Sequence, residues 1–144
     1  MGKKSRTKGK SAELEVVHIL RDPGPFPNAE RDLEQVRGTD NGRDIVSTPG
    51  FVIQVKRRAR VTQSVIESGL AEAAGSTTDE DPFAVVWHRS DRQPWRVTMD
   101  AGQWCAMVWR MERLRAENER LKAFIADRIH DATRERMLME VNGE

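Results

Sequence analysis

The sequence predicts an α/β domain with a mixed β-sheet flanked by helices, followed by a long C-terminal helix. Strand-like apolar segments alternate with helix-like segments between residues 11 and 100. Two of them, DIVS and FVIQVK, are apolar on both faces, which is typical of strands that helices cover on each side. From Asp100 to about Met139 the chain has no proline and a single glycine, Gly102, which predicts one long helix.

The first predicted helix begins at Ser11, a residue type that caps helix N-termini. Within SAELEVVHILRD, the residues Leu14, Val17 and Leu20 recur at helical spacing and give the helix one broad apolar face. DPGPFPN ends the helix, because its three prolines and one glycine cannot continue it. DLEQVRG (32–38) is then predicted to be a short strand and TDNGR (39–43) a turn.

The middle of the chain predicts a hairpin, a helix and a second strand pair. DIVS and FVIQVK form the hairpin around Thr48-Pro49-Gly50, and VTQSVIESGLAEAAG forms a helix that ends near Gly75. FAVVWHR and WRVTM form a strand pair joined by SDRQP. The predicted order of elements is therefore α-β-β-β-α-β-β-α.

Charge is unevenly distributed along the chain, although the formal net charge is only +1. MGKKSRTKGK holds five basic residues and no acidic one, so we expect a flexible basic arm at 1–10. A second basic cluster follows FVIQV. The positive potential of these two clusters favours binding of a polyanion. The alternative interpretation is a solvated tail together with ordinary surface charge. The candidate contacts to nucleic acid are Lys3, Lys4, Arg6, Lys8, Lys10, Arg57, Arg58 and Arg60.

The single cysteine, Cys105, excludes an internal disulfide framework and any cysteine-based zinc site. A lone cysteine suits a reducing compartment, so we expect a cytoplasmic protein. The N-terminus lacks the apolar core of a signal peptide, and no apolar run is long enough to span a bilayer. The histidines His18, His88 and His130 are far apart, and we expect each to be structural or on the surface.

Two polar residues interrupt the apolar strand FVIQVK, although burying an unpaired polar group costs about 1–3 kcal/mol or more. Gln54 and Lys56 are two residues apart and so project from one face. Asp44 shares that face only if it pairs opposite an even-numbered residue of this strand. A three-residue loop, Thr48-Pro49-Gly50, places Asp44 opposite Gln54, and its glycine occupies the left-handed position of such loops. A two-residue Pro-Gly turn would instead place Asp44 opposite Val55.

This arrangement predicts a metal site that hydrolyses phosphodiester bonds. Directly paired Cβ atoms lie about 4.5–5.5 Å apart, so the Asp44 carboxylate and the Gln54 carbonyl can bind one ion, and Mg²⁺ favours such oxygen donors. Glu13 borders the apolar face of the first helix and can complete the cluster, whereas Glu15 projects to the polar side. Lys56 would orient the attacking water and stabilise the developing negative charge, while the metal polarises the phosphate.

Each of these residues also has a purely structural interpretation. Asp44, like Asp40, can cap a turn, and Gln54 can satisfy a neighbouring backbone group. Lys56 can belong to the surface basic cluster, and Glu13 can face solvent. Their combination, with a helix glutamate followed by an aspartate, a hairpin and a lysine, favours the metal site.

Two stretches resemble the PD-(D/E)XK nuclease superfamily, in particular the archaeal-type Holliday junction resolvases and the related resolvase-like endonucleases of phages. KGKSAELEVVHILRD is similar to that family's opening helix and maps its catalytic glutamate to Glu13. GRDIVSTPGFVIQVKRR is similar to its hairpin and maps the other catalytic positions to Asp44, Gln54 and Lys56. The resemblance covers roughly residues 8–100 and includes PFAVVWHRSDRQPWRVTM.

The resemblance implies a restriction-endonuclease-like fold over residues 11–100 and a structure-selective endonuclease that cuts branched DNA, such as four-way junctions, in a bacterial or phage-infected cell. The implied cofactor is Mg²⁺, with Mn²⁺ as the alternative, bound by Glu13, Asp44 and Gln54. The family usually has glutamate at the position of Gln54, and glutamine keeps an oxygen donor but loses a negative charge. Glu67, with Gln63 one turn earlier, is a candidate substitute. The alternative is a catalytically weak or inactive DNA-binding homodimer on the same scaffold.

The C-terminal segment, 101–144, carries a heptad pattern that predicts a dimerisation coiled coil. Asn118 occupies an a-type position, which fixes register and favours a parallel two-stranded coil. Glu117 and Lys122 are placed to pair across the interface, while Arg110 and Arg115 would repel each other. We expect a homodimer; the alternatives are a helix folded back on its own domain and a coiled-coil assembly protein with a globular platform. The stripe consists of Met107, Met111, Leu114, Asn118, Leu121 and Ile125, the last four being the predicted dimerisation residues.

Overall fold

The computed structural model describes residues 3–33 and 42–143, with side chains from Thr7 onward in the first helix. Its helices are α1 (Lys3–Arg21), α2 (Gln63–Ala74) and α3 (Ala101–Asn142). Its strands are β1 (Glu30–Arg31), β2 (Ile45–Val46), β3 (Phe51–Arg58), β4 (Phe83–Ser90) and β5 (Arg96–Thr98). This order of elements confirms the predicted α/β class with a long C-terminal helix.

The strands of the described ranges form one mixed sheet in the order β1-β2-β3-β4-β5. β3 and β4 run parallel, from Phe51 opposite Phe83 to Arg58 opposite Ser90, and α2 forms the crossover between them. The other neighbouring pairs are antiparallel, and they include the predicted hairpin β2–β3 and the predicted pair β4–β5.

Helices cover both faces of the central strands, as their apolar character predicted. On one face Ile53 packs in a buried cluster with Val16 of α1, and on the other Val52 packs with Ala73 of α2. Successive residues of a strand point to opposite faces, so Val52 and Ile53 reach different helices. Both side chains are almost completely buried, and burying a side chain of this size contributes about 1.5–3 kcal/mol.

The first helix begins earlier than predicted, at Lys3 instead of Ser11. The segment predicted as a basic arm over 1–10 is thus part of α1 from Lys3 onward. Composition alone favoured disorder here, but lysine and arginine are good helix formers and no proline interrupts the segment. A tertiary contact adds to this propensity, because Lys8 Nζ donates to the Asp91 carboxylate, just after β4, at 2.7 Å.

The strand predicted over 32–38 lies mainly outside the described residues. Its first two residues, Asp32 and Leu33, are not in a strand, and the strand found here is Glu30–Arg31, directly before them. The Asp32 N–H donates to the Asp44 carbonyl at 2.9 Å, so this edge of the sheet lies against the hairpin. Of the predicted turn at 39–43, only the last two residues lie in the described ranges.

The hairpin has the register that the three-residue loop predicted. Ile45 lies opposite Ile53, but the regular pairing ends there, because the Asp44 N–H also donates to the Ile53 carbonyl, at 2.8 Å, and the predicted pairing of Asp44 with Gln54 is not among the pairs of the hairpin. The Phe51 N–H closes the turn by donating to the Thr48 carbonyl at 3.0 Å. Gly50 has a φ of +89°, a left-handed conformation that glycine adopts without a steric penalty.

The chain divides into two compact units, Met1–Trp104 and Cys105–Glu144. The first unit contains the sheet with α1 and α2. The second contains the remainder of α3, and no residue of this helix is buried. Within the described ranges, none of the helices combines the length and the apolar character that crossing a bilayer requires.

Replacing Gly50 with alanine is expected to lower the free energy of unfolding by about 1 kcal/mol, because alanine is strained at a positive φ. A Cβ there would meet no atom within 4 Å, so the cost is conformational and not a clash. Gly102→Ala is the matched control, since that position is helical and equally open, and it should not lose stability. Urea denaturation followed by circular dichroism measures both, and equal stability of the two variants would contradict the assignment.

Candidate active site

Asp44 is held firmly at the start of the hairpin. Its side chain is buried, with 8% of the residue exposed, and Oδ2 accepts the Val55 N–H at 2.6 Å. Its backbone N–H donates to the Ile53 carbonyl at 2.8 Å. These bonds fix the carboxylate beside β3, next to Val55 and Ile53.

Gln54 lies at the centre of the sheet, in the middle of β3, where it is 2% exposed and stands opposite Val86 of β4. Lys56 follows two residues later and therefore leaves the same face of the strand. Its side chain is 18% exposed, which is low for a lysine. The structure thus places the amide and the ammonium together on one strand face, as the sequence predicted from their spacing.

Glu13 is the member of the predicted site that comes from α1. Its side chain is 14% exposed, and Arg31 Nε donates to Oε2 at 2.5 Å. Burial raises the pKa of Glu13 above its usual value of 4.5, Arg31 lowers it, and the negative charge of Asp44 raises it further. The Asp44 charge acts on Glu13, so the two carboxylates lie close enough to repel each other.

Glu15 does not belong to this carboxylate pair. Its oxygens accept hydrogen bonds from Arg57 Nη1 at 2.9 Å, Arg89 Nη2 at 3.1 Å and Trp95 Nε1 at 3.3 Å. Glu15 therefore links α1 to the ends of β3 and β4, a structural role. The helical phase that favoured Glu13 over Glu15 is consistent with this placement.

Two charged neighbours of the site were not predicted from the sequence. Arg31, at the end of β1, binds Glu13, and Glu72, in the last turn of α2, accepts Lys56 Nζ at 2.8 Å. The predicted substitute Glu67 instead accepts a hydrogen bond from Gln63 at 3.1 Å on the exposed side of α2. Glu72 lies one turn after the buried Gly69 and so shares the covered face of α2, which the sequence pattern alone did not identify.

The oxygen ligands of the candidate site suit a divalent cation that prefers oxygen donors and needs only a few charged ligands. Glu13 and Asp44 supply two desolvated carboxylates that repel each other, an arrangement that a bound cation would stabilise. Gln54 is buried on the strand face that α2 covers, whereas α1, which carries Glu13, packs on the other face of β3. Among the described residues no group of three or more histidine, cysteine or acidic side chains is placed to bind a metal. Mg²⁺ is commonly held by one or two carboxylates with waters and phosphate oxygens.

The predicted DNA contacts fall into three groups. Lys8 and Arg57 both bind Asp91, at 2.7 and 3.3 Å, so their charge is partly used within the chain. Those bonds lower the pKa of the Asp91 carboxyl, Lys8 having the largest effect. Exposed residues for which the described part of the chain shows no ion pair are Lys10, Arg58 and Arg60. The side chains of Lys3, Lys4 and Arg6 lie outside the described residues.

The predicted dimerisation residues lie along α3 with their side chains exposed. Leu114, Leu121 and Ile125 are 56, 52 and 55% exposed, and Asn118 lies exposed between them. Isoleucine and leucine side chains at this spacing form a continuous apolar stripe on a helix.

Comparison of the chain with protein-family models, with curated proteins and with solved structures gave no match. The candidate site has two interacting carboxylates, Glu13 of α1 and Asp44, with a buried amide and an ion-paired lysine on β3.

Asp44→Asn is expected to lower the pKa of Glu13, because it removes a negative charge that contributes to raising it. The asparagine keeps an oxygen acceptor for the Val55 N–H. Asp91→Asn is the control, since that carboxylate binds Lys8 and Arg57 and is not among the charges that act on Glu13. Carboxyl carbon NMR titration measures the Glu13 pKa in each variant. A Glu13 pKa that Asp44→Asn leaves unchanged would mean that the two carboxylates lie apart.

Proposed function

We propose that the protein is a metal-dependent, structure-selective endodeoxyribonuclease with a restriction-endonuclease-like fold. It hydrolyses phosphodiester bonds in branched DNA and acts as a Holliday junction resolvase in the cytoplasm of a bacterial or phage-infected cell. The observation that carries the proposal is the buried Asp44 carboxylate, held beside β3, whose charge acts on Glu13. These are the positions that the PD-(D/E)XK resemblance had singled out.

Each site residue has a role in this reaction. Glu13, Asp44 and the amide oxygen of Gln54 would hold the cation, Mg²⁺ or alternatively Mn²⁺. When bound, the metal supplies charge that polarises the scissile phosphate and lowers the pKa of a coordinated water. Lys56 presents an ammonium on the same strand face as Gln54, where it stabilises negative charge that develops on the phosphate.

DNA would be bound mainly through its phosphates. The exposed cations Lys10, Arg58 and Arg60 are available for such contacts, which are independent of sequence and sensitive to salt. Lys8 can contribute only by sharing its charge with Asp91, and Arg57 only by sharing its charge with Asp91 and Glu15. This mode of binding suits an enzyme that recognises the shape of a junction more than its base sequence.

A second candidate function is DNA binding by a homodimer with weak or no cleavage. Gln54 favours it, because the amide gives the site one negative charge fewer than a glutamate would, and weaker attraction for the cation follows. Both candidates use the same fold and the same basic residues, so cleavage itself distinguishes them.

We further propose that two copies associate through α3 as a parallel coiled coil. An isolated helix of this length gains little from its own ion pairs, which within the described residues are Arg115–Glu112 and Lys122–Glu119. A second copy would cover the apolar stripe, and Asn118 would pair with itself across a parallel interface. A homodimer also suits a substrate that requires two paired strand cuts.

The nuclease proposal is tested with a labelled four-way junction and the matching linear duplex, each with and without Mg²⁺ or Mn²⁺. The wild type is expected to cut the junction only with metal, and Asp44→Asn or Lys56→Ala should reduce the rate at least about 100-fold. Asp91→Asn, a carboxylate outside the site, is the matched control and should retain cleavage.

The other outcomes of that experiment decide between the alternatives. Tight junction binding without cleavage in either metal would support the non-catalytic DNA-binding protein. Absence of any DNA affinity would contradict both and favour an assembly protein whose sheet domain is a platform.

The dimer is tested by light scattering after size-exclusion chromatography. Leu121→Asp places a charge in the apolar stripe and should convert a dimer into a monomer, because burying that charge is costly. Arg120→Asp makes the same type of change one residue away, off the stripe, and should leave the dimer intact. A monomeric wild type at micromolar concentration would contradict the proposal.

A further inference from the structure

Lys56 runs beneath α2 in a space that a glycine leaves open. Gly69 is one of the buried residues of α2, and a Cβ built on it would lie 3.1 Å from Lys56 Cε and 2.9 Å from Val86 Cγ2. Both distances are shorter than an ordinary van der Waals contact. A side chain at position 69 would therefore displace the lysine chain or the strand β4 beneath it.

The end of the lysine side chain is held by the same helix. Lys56 Nζ donates to Glu72 Oε2 at 2.8 Å, and Ser68 Oγ donates to the other carboxylate oxygen, Oε1, at 3.1 Å. Ser68, Gly69 and Glu72 lie within a little more than one helical turn. One turn of α2 thus provides the space for the lysine chain and an anchor at its tip.

The ion pair of Lys56 with Glu72 is better explained by the position it gives to the ammonium than by a contribution to the stability of the fold. The Glu72 side chain is 41% exposed, and ion pairs open to solvent contribute little to the free energy of folding. A lysine side chain has many rotamers, however, and holding it in one of them fixes where its charge lies. Fixing a charged group before the reaction is how an active site stabilises charge that develops later.

Glu72 is not a replacement for the carboxylate that Gln54 lacks. If it stood with Glu13 and Asp44 it would complete a group of three acidic side chains, and the described residues contain no such group. Its contact is with the ammonium and not with the carboxylate pair.

We infer that Glu72 is a positioning residue for Lys56, with Ser68 orienting Glu72 and Gly69 providing the room that Lys56 needs. The inference rests on the proposed nuclease function, in which the Lys56 ammonium faces the phosphate. It assigns to α2 a part in the reaction that its sequence pattern did not indicate.

Glu72→Gln is compared with Glu67→Gln, a matched control on the same helix whose carboxylate binds Gln63 instead of Lys56. Single-turnover cleavage of a four-way junction in Mg²⁺ should fall about 10- to 100-fold in Glu72→Gln and stay at the wild-type level in Glu67→Gln. Junction Kd should be unchanged in both. Adding Glu72→Gln to Lys56→Arg should cause little further loss, because a residue that acts through Lys56 has less effect once that side chain is altered.

A second measurement does not depend on cleavage. Heteronuclear NMR detects a lysine ammonium whose protons exchange slowly because it is held, and the Lys56 signal should be lost in Glu72→Gln and kept in Glu67→Gln. Ser68→Ala and Gly69→Ala should weaken it, with a smaller loss of rate than Glu72→Gln causes. Thermal unfolding verifies that each variant is folded.

The possible failures are distinguishable. A wild-type protein that cuts no junction overturns the proposed nuclease, and the positioning role with it, whatever the NMR result. Cleavage by the wild type with an equal rate in Glu72→Gln overturns the positioning role alone. An ammonium signal that persists in Glu72→Gln overturns the contact itself.

Discussion

The arrangement of the candidate site depends on the pairing register of one short hairpin. A strand alternates its side chains between two faces, so a slip of one residue between β2 and β3 would turn Ile45 away from the buried face that it shares with Ile53 and move Asp44 with it. The left-handed Gly50 permits the turn, and Asp81, from the loop before β4, accepts the Gly50 N–H at 2.7 Å. The same carboxylate binds Arg43 at 2.9 Å, so Asp81 braces both sides of the hairpin.

Two charged residues of the candidate site, Glu13 and Lys56, each form an ion pair within the chain. The Glu13 carboxylate binds Arg31, and the Lys56 ammonium binds Glu72. A charge taken from water without a partner is costly, so the low exposure of Glu13 requires such a neighbour. One pair joins α1 to β1, and the other joins β3 to α2.

The basic residues that would attract DNA divide into those that form ion pairs within the chain and those that stay exposed. Lys8 and Arg57 converge on Asp91, which ties the N-terminal part of α1 to the end of β4. That tie also explains why a segment with the composition of a flexible arm is helical from Lys3. Residues whose charge stays exposed, Lys10, Arg58 and Arg60, lie nearby in sequence.

Local sequence determined much of this protein. Apolar periodicity located the helices and the central strands, loop length with Gly50 determined the register, and helical phase favoured Glu13 over Glu15. These features depend on neighbours a few residues apart, where backbone geometry sets which side chains share a face. Only the tertiary structure decided that Glu72 and not Glu67 meets Lys56, and that Arg31 meets Glu13. Such contacts depend on how a helix is rotated and placed over a strand distant in sequence, and that placement follows from packing of the whole core.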